Sequence, residues 1–276
     1  MVNILKAIET LADNTVLEVG DFYLGRNRIN NIGDGLQEYI KDLFANSINY
    51  ENENRSAKIS SIFSYAGSNN NPPDLMLRGG DAIEIKKIET KGSELALNSS
   101  YPKAKLYANS PMITTACRNC ENWQEKDMWY IIGVVDKANI LKALYFFYGM
   151  DYAASSEIYE RIKKSIKDGV LSISNIEFSE TNELGRVNKV DPLGITYLRI
   201  RGMWGIQNPL RAFHEVYTPK RAKFNFMAIM NEEKYISMGG LSNDKLYIKD
   251  VNIKNPDNPA QLRKAKLITF DIGGES

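Results

Sequence analysis

With 276 residues, 43% apolar and 25% charged, the chain can bury a large core, and its composition is not that of a disordered or fibrous protein. A formal charge of +1 argues against a polycation that coats nucleic acid by charge alone, but leaves room for a local basic face. No apolar run approaches the length of a membrane span, so the sequence predicts no membrane partner and a cytoplasmic protein.

The opening stretch MVNILKAIETLADN reads as an amphipathic helix, not a signal peptide, because it has no basic start followed by a long apolar run. Turn residues around Asn30 and Asn31 precede a helix from about Gly33 to Asn46. YENENRS and GSNNNPPD read as polar loops, with AKISSIFSYA between them as a strand. DLMLR and DAIEIKKI follow as strands joined across Gly79 and Gly80. Residues 91–126 look mostly irregular, and so long a loop is usually functional. MWYIIGVV and LKALYFFYG resemble adjacent central strands. SSEIYERIKKSIKDG is the clearest helix, with serine caps, Ile158, Ile162 and Ile166 on one face and Gly169 after it. GITYLRIR and FNFMAIM read as later strands, so the order predicts an α/β fold with a mixed central β-sheet flanked by helices. Cys117 and Cys120 form a lone CxxC, short of the four ligands of a structural zinc site, and read as reduced thiols in a loop.

The segment NPPDLMLRGGDAIEIKKIET, Asn71 to Thr90, carries the chemistry. On a strand, Glu84 and Lys86 share a face with Ala82, while Ile83 and Ile85 point the other way. A hairpin across the glycines brings Asp74 near Glu84. Two such carboxylates repel unless a cation lies between them, and Mg²⁺ accepts one or two carboxylates with waters and a phosphate oxygen. A lysine one strand step away can hold or deprotonate a water, or offset phosphate charge. That set suits phosphodiester hydrolysis. The competing reading is a solvated surface hairpin, which the flanking isoleucines and the central-strand sequence that follows disfavour.

Pro73-Asp74 followed by Glu84-Ile85-Lys86 resembles the PD-(D/E)xK nuclease signature. The segments GDGLQEYIKDLFA, LALNSSYPKAKLY, MITTACRNCENWQEKDMWYIIGVV and GITYLRIRGMWGIQNP are similar to the NgoPII family of type II restriction endonucleases, a likeness running from the first helix to about Lys223. It implies Mg²⁺-dependent cleavage of double-stranded DNA at a short palindrome, GGCC. It also implies a PD-(D/E)xK restriction-endonuclease-like core. The whole chain, 1–276, is then one endonuclease domain, with a catalytic core at about 30–170 and C-terminal recognition elements at about 171–276. Asp74 and Glu84 would be metal ligands, Lys86 would position or activate the attacking water, and Glu38 would add an acid from the preceding helix.

Recognition of a G·C-rich duplex calls for arginine or lysine on guanine edges and cations on phosphates. Arg199 to Lys223 holds six Lys/Arg and one acid, with Arg199 and Arg201 on one strand face, Trp204 and Gly205 as a turn, and Asn208 and Arg211 beyond. Asn98, Ser99, Ser100, Lys103 and Lys105 form a second candidate set, the two lysines on phosphates, and Arg118 with Asn119 a third. A palindromic target would match a homodimer. A structure-specific repair nuclease and a non-catalytic DNA-binding protein remain alternatives. No nucleotide cofactor is expected, since there is no phosphate-binding GxxxxGK[ST] loop, and with one histidine and no serine elbow there is no case for a Ser-His-Asp enzyme.

Overall fold

A computed structural model describes residues 2–24, 35–67, 71–181 and 183–274. Helix α1 (Ile4–Asp13) begins at Asn3, whose side chain accepts from the Leu5 and Lys6 N–H groups. It packs against α3 (Gly35–Ala45), as does α2 (Val19–Leu24). The stripe of α3 that faces the core is Leu36, Tyr39, Ile40 and Leu43, the spacing of one helix face. Gly33 and Asp34, where the sequence places the start of this helix, lie outside the described residues.

Helix α4 (Asn52–Ile62) corrects two expectations. Much of YENENRS and most of the strand expected over AKISSIFSYA are one helix, and only Phe63–Ala66 is strand, β1. Arg55 is the one residue of α4 that is buried, so the segment lacks the apolar period that announces a helix. The chain continues through β2 (Leu75–Leu77), β3 (Ala82–Ile88), β4 (Leu95–Asn98), β5 (Lys105–Tyr107), α5 (Thr115–Asn119), β6 (Glu125–Val135), β7 (Leu141–Tyr148), α6 (Gly149–Tyr152) and α7 (Ser156–Leu171). Then come β8 (Glu177–Glu180), β9 (Gly185–Asn188), β10 (Leu198–Ile200), β11 (Trp204–Ile206), α8 (Pro209–Ala212), β12 (Phe224–Asn231), α9 (Glu232–Ser237), β13 (Tyr247–Asn255) and β14 (Asn258–Ile272). Residues 91–126 thus hold β4, β5 and α5 and are less irregular than the sequence reads.

The main sheet runs β1-β2-β3-β6-β7-β12-β14-β13, with β5 also paired to β6. β3 is parallel to β6 and β12 parallel to β7, and the other pairs are antiparallel. β12 to β14 therefore complete the central sheet, whereas the sequence assigned everything past about residue 171 to recognition. The smaller sheets β10-β9-β8 and β11-β4 lie outside it. One apolar cluster joins α1, α2 and α3 to Ile83, Trp129 and Ile131. A second gathers Ala82, Met128, Tyr130 and Ile132 with Leu95, Leu97 and Leu106. The alternation of β3 thus sends Ile83 to the helical core and Ala82 to the other side, so Glu84 and Lys86 look toward the segment that carries β4. Helix α7 forms as expected but buries none of its residues; Ile162 and Ile166 are each 45% exposed, and Gly169 lies inside it.

Candidate active site

Asp74 is placed by its own backbone. Its N–H donates to the Ile83 carbonyl at 3.0 Å, and its carbonyl accepts from the Gly67 N–H at 2.7 Å. Gly67 passes so close that a Cβ there would lie 2.6 Å from the Pro73 carbonyl oxygen. Asp74 Oδ2 accepts from the Ile85 N–H at 2.6 Å, which aims the carboxylate across β3 at Glu84. On β3, Glu84 Oε1 pairs with Lys86 Nζ at 2.7 Å. Glu84 Oε2 is buried and has no hydrogen-bond partner among the described residues.

Burial, and then the charge of Glu84, push the Asp74 carboxyl far above the usual range, against the Ile85 N–H and the Lys86 and Lys41 charges. Burial by itself would lower Lys86, but the Glu84 charge and hydrogen bond, helped by Asp74, hold its ammonium above the ordinary value. Two crowded carboxylates, one with an unmet buried oxygen, form a donor set that a small hard cation satisfies. Among the described residues no group of three or more His, Cys, Asp or Glu side chains gathers to hold a metal ion. The pair therefore fits a cation that keeps waters and takes a phosphate oxygen, the habit of Mg²⁺.

Asp74, Glu84 and Lys86 line a cleft of about 490 Å³. Asn98, Ser99, Ser100, Lys103 and Arg201 line it too, so the structure draws five of the proposed DNA contacts to the carboxylates. Asn98 ends β4 with φ 53, a left-handed turn that asparagine tolerates, and this swings Ser99 and Ser100 over the cleft. Arg201 Nε donates to Glu183 at 2.9 Å and its Nη2 to Ser99 Oγ at 3.3 Å, while Arg199 donates to the other Glu183 oxygen at 3.1 Å. Glu183 was missed from the sequence because it stands more than a dozen residues before its arginines, with no local pattern to mark it.

Other candidates have different duties. Glu38 does not line the cleft; its oxygens pair with Lys41 at 2.6 Å and Arg55 at 2.5 Å. Asn208 is corrected as a base reader: it is buried, Oδ1 accepts from the Leu210 N–H at the start of α8, and Nδ2 donates to the Ser93 carbonyl. Lys105 pairs with Glu125 at 2.6 Å. Arg118 donates to the Ala108 and Ser110 carbonyls and so holds its own loop, and its neighbour Asn119 is exposed, away from the cleft. Trp204 is in β11, not a turn, and packs edge-on against Tyr101 and Tyr159. Arg211 is exposed on α8, away from the cleft.

Comparison with known proteins bears on this geometry. The profile of the NgoPII restriction endonuclease family matches residues 2–258. The type II restriction enzyme NgoPII of Neisseria gonorrhoeae is 53% identical over 277 aligned residues, covering 98% of this chain and 100% of its own. No solved structure matches the chain.

Proposed function

We propose, since the chain belongs to the NgoPII restriction endonuclease family and is a type II restriction endonuclease, that it cuts double-stranded DNA at the palindrome GGCC with Mg²⁺ as cofactor and Asp74, Glu84 and Lys86 as its catalytic residues. The observation that carries the site is the buried Glu84 Oε2, without a hydrogen-bond partner among the described residues, beside Asp74 in the cleft that Lys86 also enters. Asp74 and Glu84 would hold the metal. When bound, such an ion makes water a better nucleophile and neutralises phosphate charge.

The remaining work belongs to the chain. Glu84 holds the Lys86 ammonium at 2.7 Å, so Lys86 has a fixed direction from which to hold the attacking water. The Ile85 N–H keeps Asp74 Oδ2 engaged and leaves Oδ1 outside that bond, on a residue that lines the cleft. Glu183 takes the Nε–H of Arg201 and Ser99 one Nη2–H, and the other guanidinium N–H groups are presented for a guanine edge or a phosphate. Two copies related by a two-fold axis would cut the two strands of the palindrome.

The test is a digest of a sequenced plasmid by wild type and Glu84→Ala, with Mg²⁺ and with EDTA, followed by sequencing of the fragment ends. Ends at GGCC, absent for the variant and in EDTA, are the expected result. Ends at another fixed sequence would overturn the target and keep the site. Cutting by Glu84→Ala at the wild-type rate would overturn the site.

A further inference from the structure

The backbone between β4 and β5 is clamped to the strands that carry the catalytic residues. The Lys103 N–H donates to the Tyr130 hydroxyl at 2.6 Å, and that hydroxyl donates back to the Lys103 carbonyl at 3.2 Å. Tyr130 lies opposite Glu84 in the β3–β6 register. The Met128 N–H donates to the Ala104 carbonyl at 3.2 Å. Gly149 closes the other side: a Cβ there would lie 2.9 Å from the Lys103 carbonyl oxygen and 2.8 Å from that of Ala104.

From this clamp the Lys103 side chain enters the cleft. The residue is 6% exposed; the Glu84 and Glu160 charges act on its ammonium from beyond ion-pair distance, and burial still holds it below the ordinary lysine value. Its contacts are the Tyr101 carbonyl at 3.5 Å and the Tyr101 ring at 4.1 Å. Lysine is almost never buried without a counter-charge, because a desolvated cation is costly unless something pairs with it. Lys105, two residues on and more exposed, has its glutamate. Ser100 Oγ, in the same cleft, is also buried without a hydrogen-bond partner among the described residues. A desolvated cation held only by a long carbonyl hydrogen bond and a ring, beside a hydroxyl with no partner among the described residues, describes a place for an anion.

We infer that Lys103 is a second catalytic lysine, whose ammonium binds a non-bridging oxygen of the phosphate being cut, with Ser100 as a neighbouring donor. This rests on the site proposed for Asp74, Glu84 and Lys86. The two lysines divide the work by their partners: Lys86 is tied to Glu84 and the water side, and Lys103 is left for the phosphate. Lys103 forms no covalent bond and moves no proton in this role; it takes up negative charge as it grows on the phosphoryl oxygens.

The test is single-turnover cleavage of a GGCC duplex with Mg²⁺ at rising enzyme concentration, which separates the saturated rate from the half-saturating concentration. Wild type, Lys103→Met, Lys103→Arg and Glu84→Ala are compared. Removing one such charge contact costs on the order of 100-fold or more in rate. The saturated rate of Lys103→Met is expected to fall by that amount, with the half-saturating concentration changed less than about 5-fold and Lys103→Arg recovering part of the rate. A Lys103→Met rate within about threefold of wild type overturns the inference, whether or not binding weakens, since weaker binding alone marks an ordinary backbone contact. Should Lys103→Met not fold by circular dichroism, Lys103→Gln is judged by the same thresholds. If Glu84→Ala cuts like wild type, the underlying site fails and this inference with it. If Glu84→Ala is dead and the Lys103 variants cut normally, only the role of Lys103 fails.

Discussion

Asp74→Asn probes the electrostatics of the site without a cleavage assay. Burial and the Glu84 charge push the Asp74 carboxyl from 3.8 to about 7 in the folded chain. An acid raised by folding binds its proton more tightly folded than unfolded, so its ionisation opposes folding. The stability that the neutral form supplies is complete below about pH 3.8 and is lost progressively as pH rises to about 7. A rise of about 3 pH units, at about 1.36 kcal/mol each, sets a ceiling of about 4 kcal/mol. Asparagine removes the charge, but an amide oxygen accepts the Ile85 N–H less strongly than a carboxylate, which returns about 1 kcal/mol. The variant should therefore be about 2–3 kcal/mol more stable than wild type at pH 8, with the gain shrinking toward pH 4. Urea unfolding in EDTA at several pH values reads this difference directly. An asparagine variant less stable than wild type at pH 8, or a difference independent of pH, would refute the claim that the two carboxylates are crowded and desolvated.

Three further predictions address other parts of the molecule. Lys86→Ala should abolish cleavage and also lower stability in urea at pH 8, by about 1–3 kcal/mol, because it leaves the mostly buried Glu84 without its counter-charge; cleavage at the wild-type rate would refute the role of Lys86. Asp42→Ala should cost about 3–5 kcal/mol in the same assay, because Asp42 is fully buried and accepts from Tyr23, Ser47 and Arg55, so its loss leaves two buried hydroxyls and the Arg55 Nε without their acceptor while Glu38 keeps only the other end of the guanidinium; a cost under about 1 kcal/mol would mean the network relaxes freely. Arg201→Ala should reduce the ratio of cutting at GGCC to cutting at sites with one changed base more than it reduces the rate at saturating GGCC; equal loss on all sequences would make Arg201 a phosphate contact.

The alternation of β3 was legible in the sequence because its information is local. A β-strand alternates by its own geometry, so Ile83 and Ile85 on one side and Glu84 and Lys86 on the other follow from a few adjacent residues. The apolar runs of β6 and β7 were equally plain, since strands buried on both faces need apolar side chains throughout. Asn208 before Pro209 carried a readable cap signal, although the sequence reading gave it to DNA instead. Helix α4 was hidden for the opposite reason: its one buried anchor, Arg55, is held by Asp42 and Glu38 of α3, and no apolar stripe records that. The isoleucine period of α7 announced a helix but not what covers it, because a period defines a face and only neighbours bury it. What gathers around the carboxylates is the part only tertiary structure decided. Lys103 arrives because Tyr130 and Gly149 clamp its backbone, and Arg201 because β11 pairs with β4. Those contacts join residues far apart in the chain, and their energy comes from packing and long-range hydrogen bonds, which leave no periodic trace in the local sequence.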